Sequence, residues 1–302
     1  MLETVDLKKS ISREQYSKIM PKLQERLRVL QYAAKTAEIP VIICLEGWDT
    51  AGKGVVVKKL TERLDPRLFR VQPGTAPSPL ERRYHFLWRY QLALPNDGEM
   101  VVFDHSWYGR VLVERCDKLV KKKVWREAYQ QISEFEKWLA DDGEVVIKLW
   151  LHISKKEQAK RFRAAKKDKL LRWKITKEYQ RHHKQYARWY EAAEEMLART
   201  DTPHAPWTMV EATDLRWVRV RVFQTLVDRL EAELARRKVS PEAISRTAAA
   251  QEFRKAHPPK AKRSRAAKAS RKARAPKAKR PVVPEQPAAE PEVTHACEDQ
   301  SQ

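Results

Sequence analysis

The stretch VIICLEGWDTAGKGVVV, residues 41–57, constrains the fold of this chain more than any other part of it. An apolar run rich in β-branched residues, 41–45, leads into Gly47-x-x-x-x-Gly52-Lys53-Gly54, and the helix-compatible VVVKKLTERL follows. Read in order, this is a buried strand, a phosphate-binding loop and a helix. A polyphosphate chain must be surrounded by backbone N–H groups, which glycine allows at close approach, and must face a helix N-terminus and one lysine. The chain has seven glycines, and three of them, Gly47, Gly52 and Gly54, stand within these eight residues. The loop residues Gly47, Ala51, Gly52 and Gly54 are therefore candidate phosphate binders, with Lys53 as the cation aimed at the phosphates.

The motif departs from the usual Walker pattern at one place. A Ser or Thr normally follows the lysine and binds magnesium through its hydroxyl, whereas here Gly54 follows Lys53. Asp49, inside the loop, is the natural replacement, because a hard divalent cation prefers carboxylate oxygen and a carboxylate in a phosphate cradle needs a metal to neutralise it. Residues 99–104, EMVVFD, read as a buried strand ending in Asp104. Paired with a phosphate loop, a strand-terminal aspartate is the Walker B arrangement that meets the magnesium shell. The cofactor expected is Mg2+, held by Asp49 and Asp104.

The rest of the chain alternates. A helical segment is expected at 12–37, with Ser12 and Gln15 spaced as a capping box. A short strand at 69–72, a helix carrying ERRYHFLWRYQLAL, an amphipathic helix at 122–140, a strand at 145–153, one long helix at 176–199, a strand at 207–213 and a helix at 215–237 complete the pattern. Strands alternating with helices after a phosphate loop predict an α/β fold with a parallel sheet covered on both faces. Arg82, Arg83, Tyr84, Trp88 and Arg89 read either as core aromatics with a solvated arginine face or as a nucleotide surface with Tyr84 and Trp88 stacking a base. Three domains are expected: an N-terminal helical segment 1–38, a phosphotransferase domain 39–243, and a Lys/Arg/Ala/Pro-rich tail 244–302. The tail has too few large apolar side chains to offset its ordering entropy and is read as disordered.

Charge narrows the partners. The chain carries a formal net charge of +22; residues 251–302 hold 13 Lys or Arg against 6 Asp or Glu, so +7 belongs to them and +15 to residues 1–250. A basic folded part implies a polyanionic partner, and a basic tail implies non-specific polyanion binding. Three cysteines without paired spacing suggest neither a disulfide framework nor a zinc site, and the absence of a signal core or long apolar run points to a cytoplasmic protein without membrane contact.

GWDTAGKG, the segment FDHSWYGRVLVER and the later RWK together resemble the polyphosphate kinase type 2 family over about residues 15–235. The resemblance implies a three-layer P-loop kinase fold like that of thymidylate kinase, and phosphoryl transfer between inorganic polyphosphate and a nucleoside mono- or diphosphate of adenine or guanine. It implies a homo-oligomer, dimer or tetramer. The family's loop aspartate matches Asp49, its loop lysine Lys53, its Walker B aspartate Asp104 and the arginine of its SWY-x-R motif Arg110; the basic residues of its lid, about 160–176, match Arg161, Arg172 and Lys174. His105 stands where the family usually has a phosphate-binding arginine. An always-charged bidentate clamp is thereby exchanged for an imidazole, which bears on the rate or the preferred donor. WYGRVLVER leans towards members that phosphorylate AMP. An ATP-dependent nucleotide kinase, or a nucleic-acid-binding protein with a vestigial loop, are the alternatives the residues leave open.

Overall fold

The computed structural model of the chain describes residues 1–169, 172 and 177–242, all within one compact unit, Met1–Lys255. Lys174 and the tail lie outside the described residues. Helix α1 (Arg13–Thr36) begins at Ser12, whose hydroxyl accepts from Gln15 N while the Gln15 side chain accepts from Ser12 N, the reciprocal box its spacing predicts. Then follow β1 (Val41–Gly47), α2 (Lys53–Thr61), β2 (Phe69–Pro73), α3 (Trp88–Gln91), β3 (Met100–Asp104), α4 (Val113–Cys116), α5 (Lys122–Asp142), β4 (Val145–His152), α6 (Lys155–Lys167), α7 (Lys177–Lys184), α8 (Tyr186–Thr200), β5 (Trp207–Glu211) and α9 (Leu215–Arg236).

The five strands form one parallel sheet in the order β2-β3-β1-β4-β5. Strand β1 is central and apolar on both faces, as a strand covered on both sides must be. Parallel strands must be joined by crossovers, and the connecting helices pack in pairs: α2 with α9, and α5 with α8. Helix α1 lies along α9. Pairing of Leu45 with Asp104 and of Gly47 with Leu151 brings the ends of β1, β3 and β4 to one rim, so the loops that follow them converge there.

Two expected helices take a different form. The 80–94 region contains a 3-10 turn at Glu81–Arg83 and only four helical residues in α3. Side chains there bind backbone in place of helical partners: the Glu81 carboxylate accepts from Ser78 N at 2.6 Å, and Arg89 donates to Thr75 O and Oγ1 at 2.9 and 3.1 Å. The long helix expected at 176–199 breaks at Gln185, whose φ of −94° and ψ of 21° leave the helical range. Among the described helices, none is long and apolar enough to cross a membrane.

Candidate active site

The loop after β1 is shaped by close approach. Gly47 has φ +138°, and a Cβ on it would lie 2.4 Å from Leu151 O, so β1 and β4 can meet at the rim only with glycine there. Gly52 has φ +117° and opens α2 without a side-chain cap, which leaves first-turn N–H groups open to an anion. Trp48 N donates to Leu151 O at 3.2 Å and Ala51 N to Trp48 O at 3.0 Å, so the Ala51 amide closes a turn within the loop. Lys53 is nearly buried, its Nζ 2.8 Å from Gly47 O and 3.3 Å from Trp48 O. A Cβ on Gly54 meets nothing within 4 Å, so there is room where the usual hydroxyl would stand.

Arg161 is placed differently from the lid role its match implies. Its Nη1 donates to Thr50 O and Ala51 O at 2.8 and 3.0 Å, its Nη2 to Ala212 O and Thr213 O at 2.6 and 2.9 Å, and its Nε to Glu157 at 3.0 Å. The guanidinium ties the phosphate loop to the β5–α9 connection. Arg172 is exposed.

Across the rim, Asp104 ends β3 with Oδ1 buried and without a hydrogen-bond partner among the described residues. A buried lone carboxylate oxygen requires an explanation in terms of water or an ion. Next to it, His105 adopts the left-handed conformation, φ +68°, and its Nδ1 lies 3.6 Å from Glu46 Oε2. Glu46, fully buried at the end of β1, accepts from Ser106 N and Oγ at 2.7 and 2.9 Å. Burial works against its charged form, but His105, Ser106 and Lys53 outweigh burial and hold the carboxyl below its ordinary range. Gly74, against whose absent Cβ the His105 Cβ lies 2.3 Å away, seats the loop after β2 on this turn.

Arg110 sits at the end of the 3-10 turn Trp107–Arg110, with Nη1 3.0 Å from Glu114 and its guanidinium 4.6 Å over the Phe86 ring. Its Nε is buried and has no partner among the described residues. The aromatic residues of the SWY motif are fasteners. Trp107 Nε1 and Tyr108 Oη both donate to Glu136 Oε1, at 3.0 and 2.6 Å, while Lys148 Nζ donates to Glu136 Oε2 at 2.7 Å and to Thr200 O at 2.6 Å. This wholly buried network anchors the turn that carries Ser106 and Arg110. Tyr84 and Trp88 stack on each other at 4.2 Å, and Tyr84 is half exposed, so this pair is no core cluster.

On the far side of the loop, His182 of α7 stands between two carboxylates: Nδ1 is 3.2 Å from Asp49 Oδ2 and Nε2 is 3.2 Å from Asp117 Oδ2. Burial lowers its pKa, but the two carboxylates outweigh burial and raise it overall. Among the described residues no group of three or more His, Cys, Asp or Glu side chains gathers as a metal cage. Magnesium in phosphoryl-transfer sites is held by one or two carboxylates together with water and substrate phosphates, so Asp49 and Asp104, the latter with an oxygen unpartnered among the described residues, each have the donor chemistry that ion takes.

The polyphosphate kinase 2 family model matches residues 10–238. The chain belongs to the polyphosphate kinase 2 family. It is 37% identical over 235 residues to a polyphosphate:AMP phosphotransferase of Pseudomonas syringae pv. tomato, a match covering 78% of this chain and 47% of the relative. It is 36% identical over 228 residues to an ADP-polyphosphate phosphotransferase of Pseudomonas aeruginosa, covering 76% and 75%. The crystal structure of polyphosphate kinase 2 from Arthrobacter aurescens superposes with a TM-score of 0.74 at 28% identity, covering 77% of this chain and 85% of that one. The chain spans about half the length of the polyphosphate:AMP phosphotransferases it matches. In this polyphosphate kinase 2 chain, Glu46, Asp117 and His182 are the site neighbours that the sequence reading missed. Glu46 had a signal, a carboxylate inside an otherwise apolar strand; the other two are distant in sequence and meet only through the packing of α7 against the loop.

Proposed function

We propose that the protein moves phosphoryl groups between inorganic polyphosphate and a nucleotide, with magnesium held by Asp49 and Asp104. The observation that carries this reading is the pairing, at one rim, of an uncapped glycine loop with a strand-end carboxylate whose buried oxygen has no partner among the described residues. Lys53 now donates to loop carbonyls; an incoming phosphate would exchange those neutral contacts for charge-assisted ones. Arg110, held over Phe86 with its Nε unpartnered among the described residues, is in this reading the cation that stabilises charge in transit. Magnesium, when bound, neutralises phosphate charge and orients the reacting oxygens. Phosphoryl transfer needs positioning and neutralisation more than covalent help, and these residues supply both.

The acceptor proposed is AMP, in keeping with WYGRVLVER and with the names of two relatives. The proposal includes a cytoplasmic homo-oligomer, which light scattering after gel filtration would size. The deciding experiment is a matrix of donors, polyphosphate or ATP, against AMP, ADP, GMP and GDP with magnesium. Turnover with polyphosphate and AMP supports the reading. Turnover with ATP alone would make the protein an ordinary nucleotide kinase, and binding without turnover in every cell would leave a polyanion-binding protein.

A further inference from the structure

Asp49 is held from α7 and α6 as well as by its own loop. Its carbonyl accepts from Gln158 Nε2 at 3.4 Å, and Gln158 Oε1 lies 2.7 Å from His183 Nδ1. Its carboxylate meets His182 through Oδ2 alone. The His182 ring cannot take another pose without loss: both nitrogens face carboxylates, the Trp189 ring lies against it at 4.3 Å, and its exposure is 8%. Asp117 is fixed in turn by Arg181 Nη2 at 2.7 Å, while its Oδ1 is buried without a partner among the described residues. A fold gains little by burying two carboxylates around one imidazole, one of them half-satisfied, beside a loop that Arg161 already braces.

From this geometry we infer that His182 is a positioning residue: it fixes the plane of the Asp49 carboxylate so that Oδ1 is presented to the metal, and Asp117 holds His182 for that task. The inference rests on Asp49 being a metal ligand. Partners of a ligating carboxylate set its orientation, and their loss costs roughly 10–100-fold in metal affinity or activity.

The two ring nitrogens allow a separation by substitution. The amide nitrogen of Asn falls near the position of Nδ1 and that of Gln near Nε2, so His182→Asn retains a donor for Asp49 and His182→Gln retains one for Asp117. The probe is Mn2+ titrated into the full-length protein, followed by the electron paramagnetic resonance signal of the free ion, for wild type, His182→Asn, His182→Gln, Asp117→Asn and Asp49→Asn. The expected results are a loss of about 10-fold or more in Mn2+ affinity for His182→Gln, near wild-type affinity for His182→Asn, an intermediate loss for Asp117→Asn, and loss of the site in Asp49→Asn. The thermal midpoints of the Asn and Gln variants should be close, since each keeps one of the two carboxylate contacts. Equal losses in both variants, or none in either while Asp49→Asn loses the site, overturns the positioning role and leaves the Asp49 ligand reading standing. Unchanged Mn2+ binding in Asp49→Asn overturns that reading and the inference with it.

Discussion

Asp104 ends a strand with one carboxylate oxygen buried and, among the described residues, unpartnered, which sets stability against activity at a single atom. Asp104→Asn replaces a carboxylate that has one buried oxygen without a partner among the described residues, so the variant should be about as thermostable as the wild type while transfer falls on the order of 10²-fold or more. Paired thermal melts and turnover at saturating magnesium measure both; a large loss of stability would assign Asp104 a folding role instead. His152 sets a second, acid-side limit. Its Nδ1 accepts from Trp48 Nε1 at 2.9 Å, and burial pushes its pKa down to about 4 from about 6.5. The folded state therefore keeps this ring neutral while the unfolded chain takes up a proton. The contribution is complete above about pH 6.5 and is lost progressively as pH falls towards 4, on the order of 3 kcal/mol in all. His152→Gln, which has no such titration, should flatten denaturation midpoints between pH 4 and 6.5; an unchanged slope would place the acid sensitivity elsewhere.

Elements, more than single residues, hold the phosphate loop in place, and Arg161 is the clearest instance. Removing its guanidinium strands four backbone carbonyls, so Arg161→Ala should destabilise by about 1–3 kcal/mol and raise KM for polyphosphate, with Arg161→Lys recovering only part because one ammonium cannot reach both pairs. A variant with lower turnover but wild-type stability would favour direct phosphate contact. The Lys148–Glu136 pair fastens β4 to α5 and to the SWY turn; Lys148→Met leaves the Glu136 carboxylate buried without its cation, though still hydrogen-bonded by Trp107 and Tyr108, and should cost about 3 kcal/mol in chemical denaturation. These elements show where sequence was legible. Strands β1, β3 and β4 were readable because parallel strands buried on both faces appear as continuous apolar runs, and the loop because glycine spacing is set by backbone geometry. The short α3 and the break at Gln185 were not, since both depend on side chains binding backbone or packing across the fold. Arg161 was legible as a cation near the site, while its direction, into carbonyls, depends on α6 crossing behind the loop. The contacts of His105 with Glu46 and of His182 with Asp49 follow from tertiary packing, to which spacing in the chain gives no clue.

At the scale of the whole molecule, the groups assigned to chemistry lie before residue 183 and are served by a single rim, whereas the basic tail lies outside the described residues. Truncation after residue 255 should leave turnover of a short polyphosphate nearly unchanged and weaken affinity for a long one, more at low salt than at high, because added cations act through screened attraction and counterion release. Loss of short-chain turnover would bring the tail into the site. The central position of β1 also has a consequence for how the chain is made. Its two neighbours, β3 and β4, are both synthesised later, and the second is complete only at His152, 105 residues after Gly47. At roughly 5–20 residues per second, this central and largely apolar strand waits for about 5–20 s with at least one edge unpaired as it leaves the ribosome. Among the described residues every strand pairing is parallel and none is a hairpin, so no local pairing shields that edge sooner. The strand that carries the phosphate loop is thus also the segment through which the nascent chain is most open to aggregation and to chaperone capture.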